Sequence, residues 1–183
     1  LFQSERPILV LQGGGALGAY QAGVYEALDE HGICPEWVAG VSIGAINAAL
    51  IAGNRPGNRV ARLREFWETV SSQLQWPAPP PLMGPGLRSL FNDAAARWGA
   101  LAGIPGFFSP RVPAAPFQWP GTVGAISYYD TTPLENTLNR LVDFELLNTQ
   151  EPDDKVRLSV GAVNVATGNS QYFDSTDGAC PEP

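Results

Sequence analysis

The chain has a single histidine, His31, and only two cysteines, Cys34 and Cys180, among its 183 residues. One imidazole excludes a histidine-rich metal centre, and two thiols are too few for a disulfide framework or a Cys-rich zinc site. Basic residues are scarce, 11 Lys plus Arg against 18 Asp plus Glu, for a formal charge of −7. A nucleic-acid surface needs clustered positive charge, so this balance argues against such a partner. The apolar stretches are broken by Gly and Asn before they reach membrane-spanning length. No basic segment precedes an apolar one at Leu1-Phe2-Gln3, so nothing there reads as a signal peptide, and a cytoplasmic location is expected. What the chain does have is a hydrophobic fraction of 44 %, enough for a substantial core, and a length suited to one domain.

The first fifty residues read as two strand–helix units. Ile8-Leu9-Val10-Leu11 is a short apolar run of the kind a fully buried strand shows. A glycine cluster follows, and then Tyr20, Val24, Tyr25 and Leu28 recur at helical spacing, stopping near His31-Gly32. Trp37 to Val41 is a second buried strand, turning at Ser42 into a small-residue helix from Ile43 to Ala52. Alternating strands and helices predict a parallel sheet covered on both faces. Val60, Leu63, Phe66, Trp67, Val70 and Leu74 form an amphipathic stripe. Residues 76–125 are rich in Pro and Gly and read as an insertion within a single domain spanning 1–183, with one helix near Leu87 to Leu101. Thr132-Pro133-Leu134-Glu135 is a helix start with Thr as cap, and that helix is expected to run to about Leu147. Val156 to Val165 then predicts a strand, turning at Ala166 to Asn169 into a partner strand from Ser170 to Phe173.

Two glycine motifs carry chemistry. Gly13 to Gly18 matches G-x-G-x-x-G between a strand and a helix, the context of a dinucleotide site. Such a site also wants an acidic residue at the end of the second strand to hold the ribose. That strand ends Gly40-Val41-Ser42, with no acid. The second motif, Gly40-Val41-Ser42-Ile43-Gly44, is a G-x-S-x-G on a strand-to-helix turn, which exposes a serine hydroxyl for nucleophilic attack. His31 is a poor base for it. It precedes the second strand while Ser42 follows it, and about five residues at ~3.3 Å each separate them by roughly 16 Å. A serine hydrolase without histidine needs another base, most simply a carboxylate.

Leu11 to Tyr20, followed by Gly40-Val41-Ser42-Ile43-Gly44-Ala45-Ile46-Asn47-Ala48, resembles the patatin-like phospholipase family in a bacterial version. The similarity is dense over about the first seventy residues and resumes at Tyr129 to Leu134 and Ser159 to Val165. The resemblance implies a three-layer α/β/α fold with a mainly parallel sheet, and hydrolysis of a lipid or fatty-acyl ester by a Ser-Asp dyad. Ser42 would be the nucleophile, with the N–H groups of Gly13, Gly14 and Gly15 forming the oxyanion hole. Many members carry a basic residue inside the glycine loop, where this chain has Leu17. The family's Asp-Gly-Gly/Ala motif is matched by Asp177-Gly178-Ala179, making Asp177 the dyad candidate in this chain. The residues around it resemble a stretch that precedes a further helix and strand, so the alternative is an aspartate beyond Pro183, in a C-terminal part that the domain lacks here. An exposed turn carboxylate is the plain expectation for both Asp174 and Asp177. No metal or organic cofactor is implied. The apolar residues Leu82, Met83, Leu87, Leu90, Phe91, Trp98, Phe107, Phe108 and Phe117 either cover the crevice and meet lipid or fill an ordinary core, and transient contact with a membrane surface is consistent with the former. Two other classes stay open: a dinucleotide-binding oxidoreductase domain, and a non-catalytic fragment serving as an interaction module.

Overall fold

The computed structural model describes residues 6–72, 84–148 and 155–176. In chain order these form β1 (Ile8–Leu11), α1 (Gly18–Glu30), β2 (Trp37–Val41), α2 (Ile43–Ala52), α3 (Pro56–Ser72), α4 (Pro85–Ala102), β3 (Ser109–Pro110), β4 (Tyr129–Asp130), α5 (Thr132–Leu141), α6 (Phe144–Asn148), β5 (Arg157–Val163) and β6 (Ser170–Asp174). They fall into two compact units, residues 1–66 with 138–183, and residues 67–137.

The first unit is built on a four-stranded sheet ordered β1-β2-β5-β6. β1, β2 and β5 run parallel, and β6 returns antiparallel to β5. This is the expected α/β class with a mainly parallel sheet. The strand-to-helix alternation dictates it, because a parallel neighbour needs a helical crossover, whereas β6 needs only a tight turn. Asn164 makes that turn: its side-chain oxygen accepts from the N–H groups of Ala166 and Thr167, and Gly168 supplies φ 72°.

The small residues of α2 let it lie close against the sheet. Ala48, Leu50, Ile51, Val38, Leu11 and Leu158 are all buried there, and Leu63, Phe66 and Val70 of α3 are buried as the stripe predicts. Leu74 lies outside the described residues. Two expectations need correction. Ile8 and Val10 are 54 and 74 % exposed, so β1 alternates rather than being buried throughout. They point away from the face that holds Leu11 and Val38. Tyr20 is likewise exposed, leaving Tyr25 as the buried anchor of α1.

The helix expected from Thr132 to Leu147 breaks at Val142-Asp143. There the Asp143 N–H bonds the Gly53 carbonyl (2.8 Å), and the Asp143 carboxylate receives the Leu146 N–H (3.0 Å), starting α6. The cap of α5 also differs. Asp130 accepts from the N–H and hydroxyl of Thr132 (3.2 and 2.8 Å), so Thr132 donates where it was expected to accept.

In the second unit α4 starts at Pro85 and stops at Gly103, whose φ of 84° suits a residue without Cβ. Phe108 stacks edge-on against Phe107 and Tyr129, and β3 pairs antiparallel with β4. Phe107 and Phe108 are thus half-buried filling, while Leu87, Leu90, Trp98 and Phe117 are exposed. Leu82 and Met83 lie outside the described residues.

Candidate active site

Ser42 occupies the junction of β2 and α2 with φ 55° and ψ −127°. It is the one non-glycine residue with positive φ among the described residues. L-residues avoid this region because Cβ crowds the backbone, so the fold must over-determine the turn. Two glycines show how. A Cβ on Gly40 would stand 2.3 Å from the Gly44 carbonyl oxygen, and one on Gly44 would stand 2.2 Å from the Leu11 carbonyl oxygen. Both are impossible contacts, so the first turn of α2 rests directly on the ends of β1 and β2 only because these positions lack side chains. Ser42 itself is exposed, and its hydroxyl has no hydrogen-bond partner among the described residues.

The glycine loop faces it. A Cβ on Gly13 would lie 3.2 Å from Ser42 Cβ and 3.8 Å from Ser42 Oγ. Gly13, Gly14 and Gly15 are exposed, and their N–H groups donate to no described residue. Gly15, at φ 56°, tips the chain into a single helical turn before α1. Among the described residues the site therefore holds a free hydroxyl, a run of unpaired amide donors beside it, and the N-terminus of a ten-residue helix behind it.

The position of the loop depends on residues whose role the sequence did not announce. Asn47, fully buried on α2, donates to the Gly18 carbonyl (2.9 Å) and to Gln21 Oε1 (3.0 Å). Gln21 in turn donates to the Gln12 carbonyl (2.7 Å), the peptide that precedes Gly13. Asn47 is conspicuous in the sequence as the polar residue in an apolar helix, and that was the available signal.

The other singled-out residues lie apart. His31 caps the end of α1, with Nδ1 2.7 Å from the Ala27 carbonyl, on the edge of the sheet opposite Ser42. Asp177 lies outside the described residues. Asp174 is no exposed turn carboxylate, and that expectation is corrected. It ends β6 with its side chain 11 % exposed and accepts from Ser159 Oγ (2.5 Å), from Arg157 Nε (2.9 and 3.0 Å), and from the hydroxyl and N–H of Thr176 (2.6 and 2.9 Å). Trp37 joins the group, donating to Ser159 (2.8 Å) beneath the Arg157 guanidinium, which sits 4.2 Å from its ring centroid. Burial alone would raise the Asp174 pKa, but the hydrogen bonds from Ser159, Thr176 and Arg157 outweigh it and hold the carboxyl at about 2. Asp174 pairs with Ser159, and Ser159 with Ala39. That places it two strands across and three residues down from Ser42, roughly 10 Å in each direction, too far to take its proton.

The chain is thus an α/β protein with a strained, exposed serine on a strand–helix turn, fronted by a glycine loop. The profile of the family described as Patatin-like phospholipase matches residues 9–178. The chain belongs to that family. Over 68 residues it is 43 % identical to Patatin-like phospholipase domain-containing protein 6 of Mus musculus, a match covering 37 % of this chain and 5 % of that protein. It is 57 % identical over 44 residues to Lysophospholipase nte1 of Aspergillus terreus, covering 24 % of this chain and 3 % of that one. Neuropathy target esterase sws of Drosophila melanogaster is 44 % identical over 59 residues, covering 32 % and 4 %. The matched stretches thus span only a small part of these relatives' length. No solved structure matches. Among the described residues, no helix is long and apolar enough to cross a membrane.

Proposed function

We propose that this chain is an acyl-ester hydrolase acting on lipids, with Ser42 as nucleophile and the amides of Gly13, Gly14 and Gly15 as the oxyanion hole. The observation that carries the reading is the Ser42 turn: a hydroxyl without a partner among the described residues, held at positive φ against a loop whose N–H groups are unpaired among them. In the reaction Ser42 Oγ attacks the ester carbonyl while its proton passes to an aspartate. The oxyanion forms hydrogen bonds to the loop amides, and its collapse expels the alcohol, which takes up that proton. Water then attacks the acyl-enzyme, releasing the fatty acid and restoring the hydroxyl. The names of the relatives, a lysophospholipase and an esterase, support glycerophospholipid esters as the substrate class.

The aspartate is proposed from the family resemblance. In favour of Asp177 stands the Asp177-Gly178-Ala179 string. Against it stands the resemblance of the residues around it to a stretch that precedes a further helix and strand, which supports an acceptor other than Asp177.

A fluorophosphonate probe tests the nucleophile. Wild type is expected to carry one adduct at Ser42 and Ser42→Ala none, with hydrolysis of a short-chain nitrophenyl ester falling by several orders of magnitude. Equal labelling of the two proteins would refute the role. Asp177→Asn is expected to leave the Ser42 adduct in place, and complete loss would assign the proton to Asp177.

A further inference from the structure

We propose that α4 is a membrane-surface helix, which lays an apolar stripe into the headgroup boundary of a lipid bilayer. The stripe runs through Leu87, Leu90, Phe91, Ala94, Trp98 and Leu101, positions three or four apart that share one face of a helix of 3.6 residues per turn. In a helix packed into a protein such a stripe is covered. Here Leu87 is 63 %, Leu90 68 %, Trp98 47 % and Leu101 75 % exposed, and Gly99 is the helix's one fully buried residue. At 1.5 Å per residue the stripe extends over roughly 20 Å, with Phe91 and Ala94 half-buried between its exposed ends.

The charges point to lipid as the occupant. Arg88 follows Leu87 and Arg97 precedes Trp98, so at 100° per residue the two guanidiniums flank the stripe on opposite sides, and neither is ion-paired with a described residue. Their aliphatic stems can lie along the apolar face while the charged ends reach lipid phosphates. The acid of the helix, Asp93, lies one turn before Arg97 on the same flank. α4 thus carries a net positive charge in a chain whose formal charge is −7. Exposed charges more than about 10 Å away are largely screened at ordinary ionic strength, so the arginines beside the stripe act on a surface that it touches. With Arg88, Asp93 and Arg97 in its sequence the helix lies on a bilayer and does not cross it. This deepens the lipid-hydrolase reading by giving the chain a way to reach esters at a surface, but its test is independent of catalysis.

The experiment is co-sedimentation of Ser42→Ala protein, which leaves the lipid intact, with phosphatidylcholine vesicles with and without a minor fraction of phosphatidylglycerol. Binding to both is expected, several-fold stronger with the anionic lipid. Leu90→Gln/Leu101→Gln is expected to lower the partition coefficient on both vesicles by roughly tenfold or more. Arg88→Gln/Arg97→Gln is expected to remove only the gain from phosphatidylglycerol. Far-UV circular dichroism without lipid should match the parent protein. Should the leucine pair melt early, Leu87→Gln alone provides the same comparison. Absence of vesicle binding, or binding indifferent to the leucine substitutions, overturns the proposal. Self-association that the leucine substitutions abolish, without vesicle binding, would assign the face to a second copy of the chain.

Discussion

A serine at φ 55° and ψ −127° is held where an L-residue pays about 1–3 kcal/mol. Alanine at that position keeps the strain and removes the hydroxyl, whereas glycine removes both. Ser42→Gly is therefore expected to be more stable than Ser42→Ala by about 1 kcal/mol in urea unfolding, even after the extra entropy that glycine gains in the unfolded chain. Equal stabilities would mean that the turn is unstrained in solution. The motif G-x-S-x-G was legible because its glycines have a steric reason to be there. Gly40 and Gly44 are each forbidden a Cβ by a carbonyl less than 2.5 Å away. Asp174 shows the opposite case. Its partners Arg157, Ser159 and Thr176 are gathered by β-pairing across a turn, and spacing alone did not reveal that Arg157 and Asp174 face one another.

At the scale of elements, the glycine loop is positioned by a relay from α2 through α1, Asn47 to Gln21 to the Gln12 carbonyl. Gln21 is half-buried and touches no part of the proposed reaction, so it is a positioning residue. Gln21→Leu is expected to slow fluorophosphonate labelling of Ser42 about tenfold while costing no more than about 1 kcal/mol of stability, the usual worth of a partly exposed hydrogen bond. Restoration of the rate by Gln21→Glu at low pH, where the protonated acid can donate to the same carbonyl, would distinguish positioning from general loosening. Helix and strand boundaries were readable wherever glycine or proline closed a periodic run, as at Gly53 and Gly103. The break between α5 and α6 was not. Leu138 to Leu147 continues a plausible helical pattern, and what interrupts it is a distant partner, the Gly53 carbonyl that captures the Asp143 N–H.

For the molecule as a whole, the carboxylate of Asp174 ties β5 to β6 and, through Ser159 and Trp37, to β2. Its pKa falls from 3.8 to about 2 on folding. A depressed folded pKa gives stability that is present above the unfolded value and is lost as pH falls through the folded one. The loss is therefore expected between about pH 4 and pH 2, on the order of 2 kcal/mol. Urea midpoints of wild type should drop over that window, and those of Asp174→Asn should lack this component. The parallel direction of the sheet followed from strand–helix alternation, but the openness of one face at Ile8 and Val10 did not, because an apolar tetrad reads the same whether one side or both are covered. Gly44 packs directly on the Leu11 carbonyl, so the turn that carries the hydroxyl sits on the strand that feeds the amide cradle. Heat or denaturant is therefore expected to extinguish reactivity at Ser42 together with the tertiary structure, in a single step.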